Sequence, residues 1–198
     1  METSAFLALI GFVLVATFTP GPNNIMVMAS GANFGLRRTV PHIAGIAGGM
    51  AVMIGLVGVG LMVVFDAFPV LTTVLKVLSV AYLLYLAFKI ARAAPPESAD
   101  APAGRPLTIL QAAAFQWVNP KGWAAVLTAI TLYAPQHTPA QVAVVALVFF
   151  GLSIPANTFW SVMGVVLRRW LSNRRRLRMF NAVMALLLVA SLYPVLMH

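Results

Sequence analysis

Apolar residues do not alternate with polar ones along this chain; they arrive in long blocks. Six stretches, 4–33, 41–65, 69–91, 107–133, 141–166 and 177–196, consist mainly of Ala, Val, Leu, Ile, Met and Phe. A helix needs about 20 mostly apolar residues to cross the hydrocarbon of a bilayer, and each stretch is long enough. The joints between them are short and carry breakers, as at 66–69 and 134–139. One joint, 92–106, is longer, polar and rich in proline, with Pro95, Pro96, Pro102, Gly104, Glu97 and Asp100. The pattern predicts an all-α integral membrane protein, one transmembrane domain over residues 1–198 with six transmembrane helices. The first stretch begins Met-Glu-Thr-Ser with no basic segment before its apolar run, so it reads as a retained helix and not as a cleaved signal.

Composition agrees. The 198 residues are 61% hydrophobic and 9% charged, against roughly 25% charged in a soluble domain. A chain of this size leaves about 30% of its unfolded-state surface exposed, so the surplus apolar surface needs lipid as its partner. Cysteine is absent, which removes disulfides, thiolate metal sites and thiol nucleophiles. The formal charge of +9 would suggest nucleic acid in a soluble protein; in a membrane protein it marks cytoplasmic loops, and no nucleic-acid partner is expected.

The basic residues are unevenly placed. Arg37 and Arg38 follow the first stretch, Lys89, Arg92 and Arg105 flank the long joint, and six arginines fall in 168–178, together eleven of the 13 Lys and Arg residues. The joints at 66–69 and 134–139 have none. Lys and Arg accumulate on the cytoplasmic side, so three joints face the cytoplasm and both termini face outward, as an even number of spans requires. The arginine run is placed to meet anionic lipid headgroups.

Six spans divide into three plus three, an inverted repeat of the kind common in secondary transporters. Corresponding members of the two halves are interrupted. The first stretch carries Thr19-Pro20-Gly21-Pro22-Asn23-Asn24 and the fourth carries Asn119-Pro120-Lys121-Gly122-Trp123. Both interruptions fall near the middle of their stretches, and the fifth adds Ser153-Ile154-Pro155-Ala156-Asn157 at similar depth. Proline removes an amide donor and clashes with the carbonyl four residues earlier. Backbone groups freed in this way cost several kcal/mol each in hydrocarbon unless protein or water satisfies them. Such breaks suit the lining of a polar cavity, with the amides of Asn23, Asn24, Asn119 and Asn157 as donors and acceptors. A lone proline kink or an interhelical Asn bond is the plainer reading of each residue taken singly; the coincidence of two runs at matching depth favours a site.

Lys121 stands out, because a lysine at a helix centre costs about 2.5–3.5 kcal/mol on insertion scales. Snorkelling to the interface serves poorly from mid-membrane, so Lys121 is expected to face the cavity. It would pair there with a substrate carboxylate or with carbonyls freed at the first break. Lys76 lies nearer the outer face, where snorkelling suffices. Gly45 and Gly49 form a Gly-x-x-x-Gly pair suited to close helix packing. Trp117, Trp123 and Trp160 are expected to pack within the bundle. His42, His137 and His198 sit near the ends of stretches, too scattered for a metal site, and neither metal nor cofactor is expected.

The runs TPGPNN, ANFGLRR, LKVLSVAYLLYLAFK and FQWVNPKGW together resemble the LysE/RhtB family of amino-acid exporters over essentially the whole chain. The resemblance implies proton-driven export of amino acids or close derivatives across the bacterial inner membrane. The double asparagine after Pro-Gly-Pro is most similar to the cysteine/O-acetylserine exporter branch, which implies a small neutral substrate. Ser79 stands where the family usually has glycine. On this reading the substrate meets Pro20, Gly21, Pro22, Asn23, Asn24, Asn119, Pro120, Lys121 and Asn157. The only acids are Glu2, Asp66, Glu97 and Asp100, none near mid-membrane, so proton coupling falls to Asp66, Lys121 or the substrate itself. The expected partners are a small amino acid and the lipid bilayer, with a homodimer as a further expectation. A passive channel is the alternative function. A membrane-embedded enzyme lacks an acid pair or cysteine in its spans, and a mere scaffold leaves the mid-membrane prolines without a purpose.

Overall fold

The structure is a computed structural model that describes residues 2–92, 105–170 and 173–193, excepting the side chains of Asp66, Arg168, Arg169, Trp170 and Arg174. Most of the expected linker at 92–106, and the placement of the Asp66 carboxylate, therefore lie outside the described residues. All regular elements among the described residues are helices: α1 Thr3–Phe18, α2 Pro22–Phe34, α3 Leu36–Gly58, α4 Leu61–Ala67, α5 Val70–Ala91, α6 Ile109–Gln116, α7 Pro120–Tyr133, α8 Pro139–Trp170 and α9 Arg174–Ala190.

Their boundaries follow from local chemistry. Pro22 and Pro120 occupy the first turns of α2 and α7, where the missing amide has no intrahelical partner to lose. Gly35 separates α2 from α3 at φ 80°, and Gly60 separates α3 from α4 at φ 103°. L side chains rarely adopt that conformation. Thr108 and Gln111 form a reciprocal capping box at the start of α6, and Asn173 Oδ1 accepts from the Arg175 amide at 2.8 Å to open α9. Two prolines do not end their helices. Pro41 sits inside α3, which starts five residues before the expected stretch, and Pro155 sits inside a 32-residue α8. A proline in a membrane helix is tolerated where neighbours satisfy the freed groups locally.

Three helices, α3, α5 and most of α8, are each long and apolar enough to cross a membrane. A fourth span results if α1 and α2, bent by 55° across their break, are taken together. The chain is thus an all-helical, multi-pass membrane protein. The two remaining apolar stretches hold the broken pair α6–α7 and the 17-residue α9, the latter short of the usual length for a span.

The packing divides at the breaks. Leu9 and Val13 of α1, Met53 and Ile54 of α3, Val126 and Ile130 of α7, and Val145 and Phe149 of α8 form one buried cluster. Ile25 and Met26 of α2, Leu83 and Leu86 of α5, Phe115 of α6, and Met184 and Leu188 of α9 form another. A third, smaller cluster joins Val27, Ile43, Ile46 and Ala112, with Trp160 against it. Each broken pair therefore gives one half to each end of the bundle, with α3 and α8 running past both. Close approaches hold α3 to α6 and α2 to α8. A Cβ on Gly49 would stand 2.6 Å from Ala113 Cα, and one on Gly164 would meet Ala32 N at 2.9 Å and the Met28 carbonyl.

Candidate functional site

At the junction of the two ends, the connection 19–21 faces the start of α7. The backbone accounting there is nearly complete. α1 ends with free carbonyls, and Asn24 Nδ2 donates to two of them, Thr17 at 2.8 Å and Thr19 at 3.0 Å. Lys121 Nζ donates to the Thr19 carbonyl as well and lies 3.4 Å from that of Pro20. Gly21 leaves the space the lysine stem uses, since a Cβ there would stand 2.6 Å from Lys121 Cδ. Buried Gln116 of α6 exchanges side-chain bonds with Asn23 of α2 at 2.9 and 3.2 Å, so the two broken pairs are tied to each other. Across the second break, Trp123 Nε1 donates to the Trp117 carbonyl at 2.8 Å.

Thr17, Gly21, Asn23, Asn24, Asn119 and Lys121 line a cavity of about 40 Å³, together with Ile46 and Met50 of α3 and Phe149, Ser153 and Asn157 of α8. That is room for about three waters, the liquid volume of which matches a small amino acid. Three features give the cavity its chemistry. Among the described residues, Lys121 is the one ionisable side chain on its wall. The N-termini of α2 and α7 both open onto it without side-chain caps, and helix N-termini favour anionic groups. The Oδ1 atoms of Asn119 and Asn157 are buried without a hydrogen-bond partner among the described residues, while Asn157 Nδ2 is engaged by the Ser153 carbonyl at 2.8 Å. Two unsatisfied acceptors suit an ammonium group, and an ammonium plus two helix N-termini suit a carboxylate. A zwitterion answers both.

Of the residues expected to meet substrate, Gly21, Asn23, Asn24, Asn119, Lys121 and Asn157 line the cavity. The rings of Pro20, Pro22 and Pro120 do not; they set the breaks. Thr17 and Ser153 join the cavity wall without having been singled out, and Gln116 joins the site behind it through Asn23. Gln116 was visible as the lone amide just before the Asn119-Pro120 break, whereas Thr17 contributes through its backbone, which carries no sequence signal. The three tryptophans lie off the cavity wall, Trp117 and Trp123 stacked edge-on at 5.9 Å. Among the described residues no three His, Asp or Glu side chains converge to hold a metal.

A family model for the LysE type translocator matches residues 14–191 of this chain. The chain is also 30% identical over 182 residues to the cysteine/O-acetylserine efflux proteins of Escherichia coli (strain K12), Escherichia coli O9:H4 (strain HS) and Shigella sonnei (strain Ss046), covering 90% of this chain and 90% of each relative. No solved structure matches.

Proposed function

This chain belongs to the LysE type translocator family, which makes it a membrane transporter for efflux of amino acids or their derivatives, and we propose that it exports small neutral ones. The relatives named as cysteine/O-acetylserine efflux proteins make cysteine and O-acetylserine the first substrates to try. In this reading the chain sits in the bacterial inner membrane as six spans, three plus three inverted, with both termini outside. The exposed Arg37, Arg38, Lys89, Arg105, Arg175, Arg176 and Arg178 then fall on the cytoplasmic side. The proton gradient drives export.

The observation that carries the proposal is the cavity between the two breaks, with Lys121 and two helix N-termini on its wall and the Asn119 and Asn157 oxygens unsatisfied. The substrate carboxylate meets Lys121 Nζ and the amides opening α2 and α7. Its ammonium meets the two asparagine oxygens. Lys121 leaves the Thr19 and Pro20 carbonyls to do so, and returns to them when the site empties.

Counterflow in proteoliposomes, with a panel of amino acids at several imposed pH differences, identifies the substrate and the coupling. Lys121→Met should abolish transport while leaving the protein inserted and folded. Normal transport by that variant refutes the site.

A further inference from the structure

A second buried polar layer lies beyond the cavity, towards the end of the bundle formed by α2 and α6. His42 of α3 is 1% exposed. Its Nδ1 lies 3.1 Å from Ser30 Oγ of α2, and its Nε2 is buried with no hydrogen-bond partner among the described residues. The next residue of α2, Gly31, abuts the backbone of Ser161 on α8, whose hydroxyl is also buried and unpartnered. One turn of α2 thus brings together polar groups from three helices.

The layer is in line with the cavity on each of them. His42 precedes the cavity residues Ile46 and Met50 at intervals of four on α3, and Ser161 follows Ser153 and Asn157 at the same interval on α8. Residues four apart share a helix face, about 6 Å apart along the axis. Ser30 lies two turns after Asn23 on α2. Val27 and Ile46 pack with Trp160 in one apolar cluster, and Ile46, one turn from His42, also lines the cavity. This is a titratable group one helical turn from a residue of the substrate cavity, whose wall carries no carboxylate among the described residues.

We propose that His42 is the proton carrier of the transport cycle; the proposal rests on the proton-driven exporter reading above. The tautomer that donates Nδ1–H to Ser30 leaves the lone pair on Nε2. When the cavity is open outward and empty, one proton from external water adds to Nε2 and forms imidazolium. When the bundle opens to the cytoplasm, that proton leaves Nε2 for water there, and the neutral ring admits the substrate ammonium into the cavity. Imidazolium and ammonium repel, so proton and substrate occupy the transporter in alternation, as exchange requires.

Among the described residues, no carboxylate faces His42 from the helices packed on α3. α2 and α6 offer no ionisable side chain, α7 offers Lys121 in the cavity and Tyr133 at its far end, and α8 offers Arg168 and Arg169, seven and eight residues past Ser161. On α3 itself Arg37 and Arg38 are exposed, and Asp66 of α4 belongs to the opposite end of α3.

The test uses the full chain in proteoliposomes with the membrane potential clamped and radiolabelled O-acetyl-L-serine as the probe. For one proton per substrate, the wild type accumulates the probe about tenfold per unit of imposed pH difference. His42→Gln should bring that ratio to about one while counterflow at equal pH stays within about twofold of wild type. Retained pH-driven accumulation in H42Q overturns the proposal, and so does loss of counterflow together with accumulation, which marks a structural role. Absence of wild-type counterflow overturns instead the exporter reading beneath it. A second measurement keeps position 42 intact. In histidine-labelled protein carrying H137Q and H198Q, the one remaining imidazole should pass from charged to neutral in its NMR shifts when O-acetyl-L-serine is added near the midpoint of its titration. An unchanged signal overturns the assignment.

Discussion

Asn24 and Lys121 share a carbonyl, and that sharing makes a quantitative prediction about what holds the first break together. Asn24→Ala removes two donors' worth of bonding at once, to Thr17 at 2.8 Å and Thr19 at 3.0 Å. A neutral hydrogen bond contributes about 1 kcal/mol net, and side-chain bonds within a bilayer average about 0.6. The two bonds are therefore worth about 1–2 kcal/mol. The carbonyls then differ in fate. Thr19 keeps Lys121 as donor, whereas half-buried Thr17 is left with no side-chain donor. A loss of about 1–2 kcal/mol corresponds to a fall in Tm of about 3–6 °C for a chain of this length.

Lys121→Met alone leaves Thr19 with Asn24, and only the more distant Pro20 contact is lost without replacement. In the double variant Thr19 has neither donor. The loss for N24A/K121M should therefore exceed the sum of the single losses by about 1 kcal/mol or more, beyond the roughly 0.3–0.5 kcal/mol within which independent sites add. Thermal unfolding of detergent-solubilised protein, with wild type, both singles and the double measured together, gives the cycle. Additivity within that margin, or an N24A Tm within about 2 °C of wild type, refutes the reasoning: the break would then be held by something other than these shared carbonyls.

Two further substitutions separate stability from binding. Gly164→Val places a side chain against the Met28 carbonyl and the Ala32 amide, where even a Cβ stands 2.9 Å from the latter; overpacking of about 1–3 kcal/mol should lower the Tm by several degrees, and an unchanged Tm would mean α2 and α8 are not in fixed contact. Asn157→Leu removes an oxygen that has no partner among the described residues and one bond to the Ser153 carbonyl, so stability should fall by no more than about 1 kcal/mol, while substrate affinity falls by about 10- to 150-fold for the loss of a charge-assisted bond of about 1.5–3 kcal/mol. Titration calorimetry with O-acetyl-L-serine checks it, equal affinity in the two proteins being the adverse result.

The two interruptions were legible because Pro-Gly-Pro and Asn-Pro leave a helix little choice: Pro22 and Pro120 each fix a φ suited to a first turn and lack only an amide that has no partner there. The partners at the break were less legible. Asn24 and Lys121 announce polar groups, yet their acceptors are the backbone carbonyls of Thr17, Thr19 and Pro20, and a carbonyl looks the same in every residue. The tie between Asn23 and Gln116 spans 93 positions and depends on how two broken pairs dock, which no local pattern encodes. Proline also misleads when read as a terminator. Pro155 interrupts nothing in α8, which runs through it from Pro139 to Trp170.

The same error explains why His42 looked peripheral. Taking Pro41 as the start of a span puts His42 at its rim, where an imidazole would meet water and need no function. The structural start of α3 is set instead by Gly35, whose φ of 80° turns the chain out of α2, and Thr39 Oγ1 bonds the Gly35 carbonyl at 2.9 Å to tighten the new first turn. Pro41 then falls in the second turn, and His42 follows it into the bundle, facing Ser30 rather than solvent. A five-residue shift in one helix start moves a histidine from the headgroup zone to a buried position one turn from the cavity wall. Burial without a partner for Nε2 among the described residues is costly unless something is gained from it, and in the proposed proton-driven cycle the gain is a site for the proton.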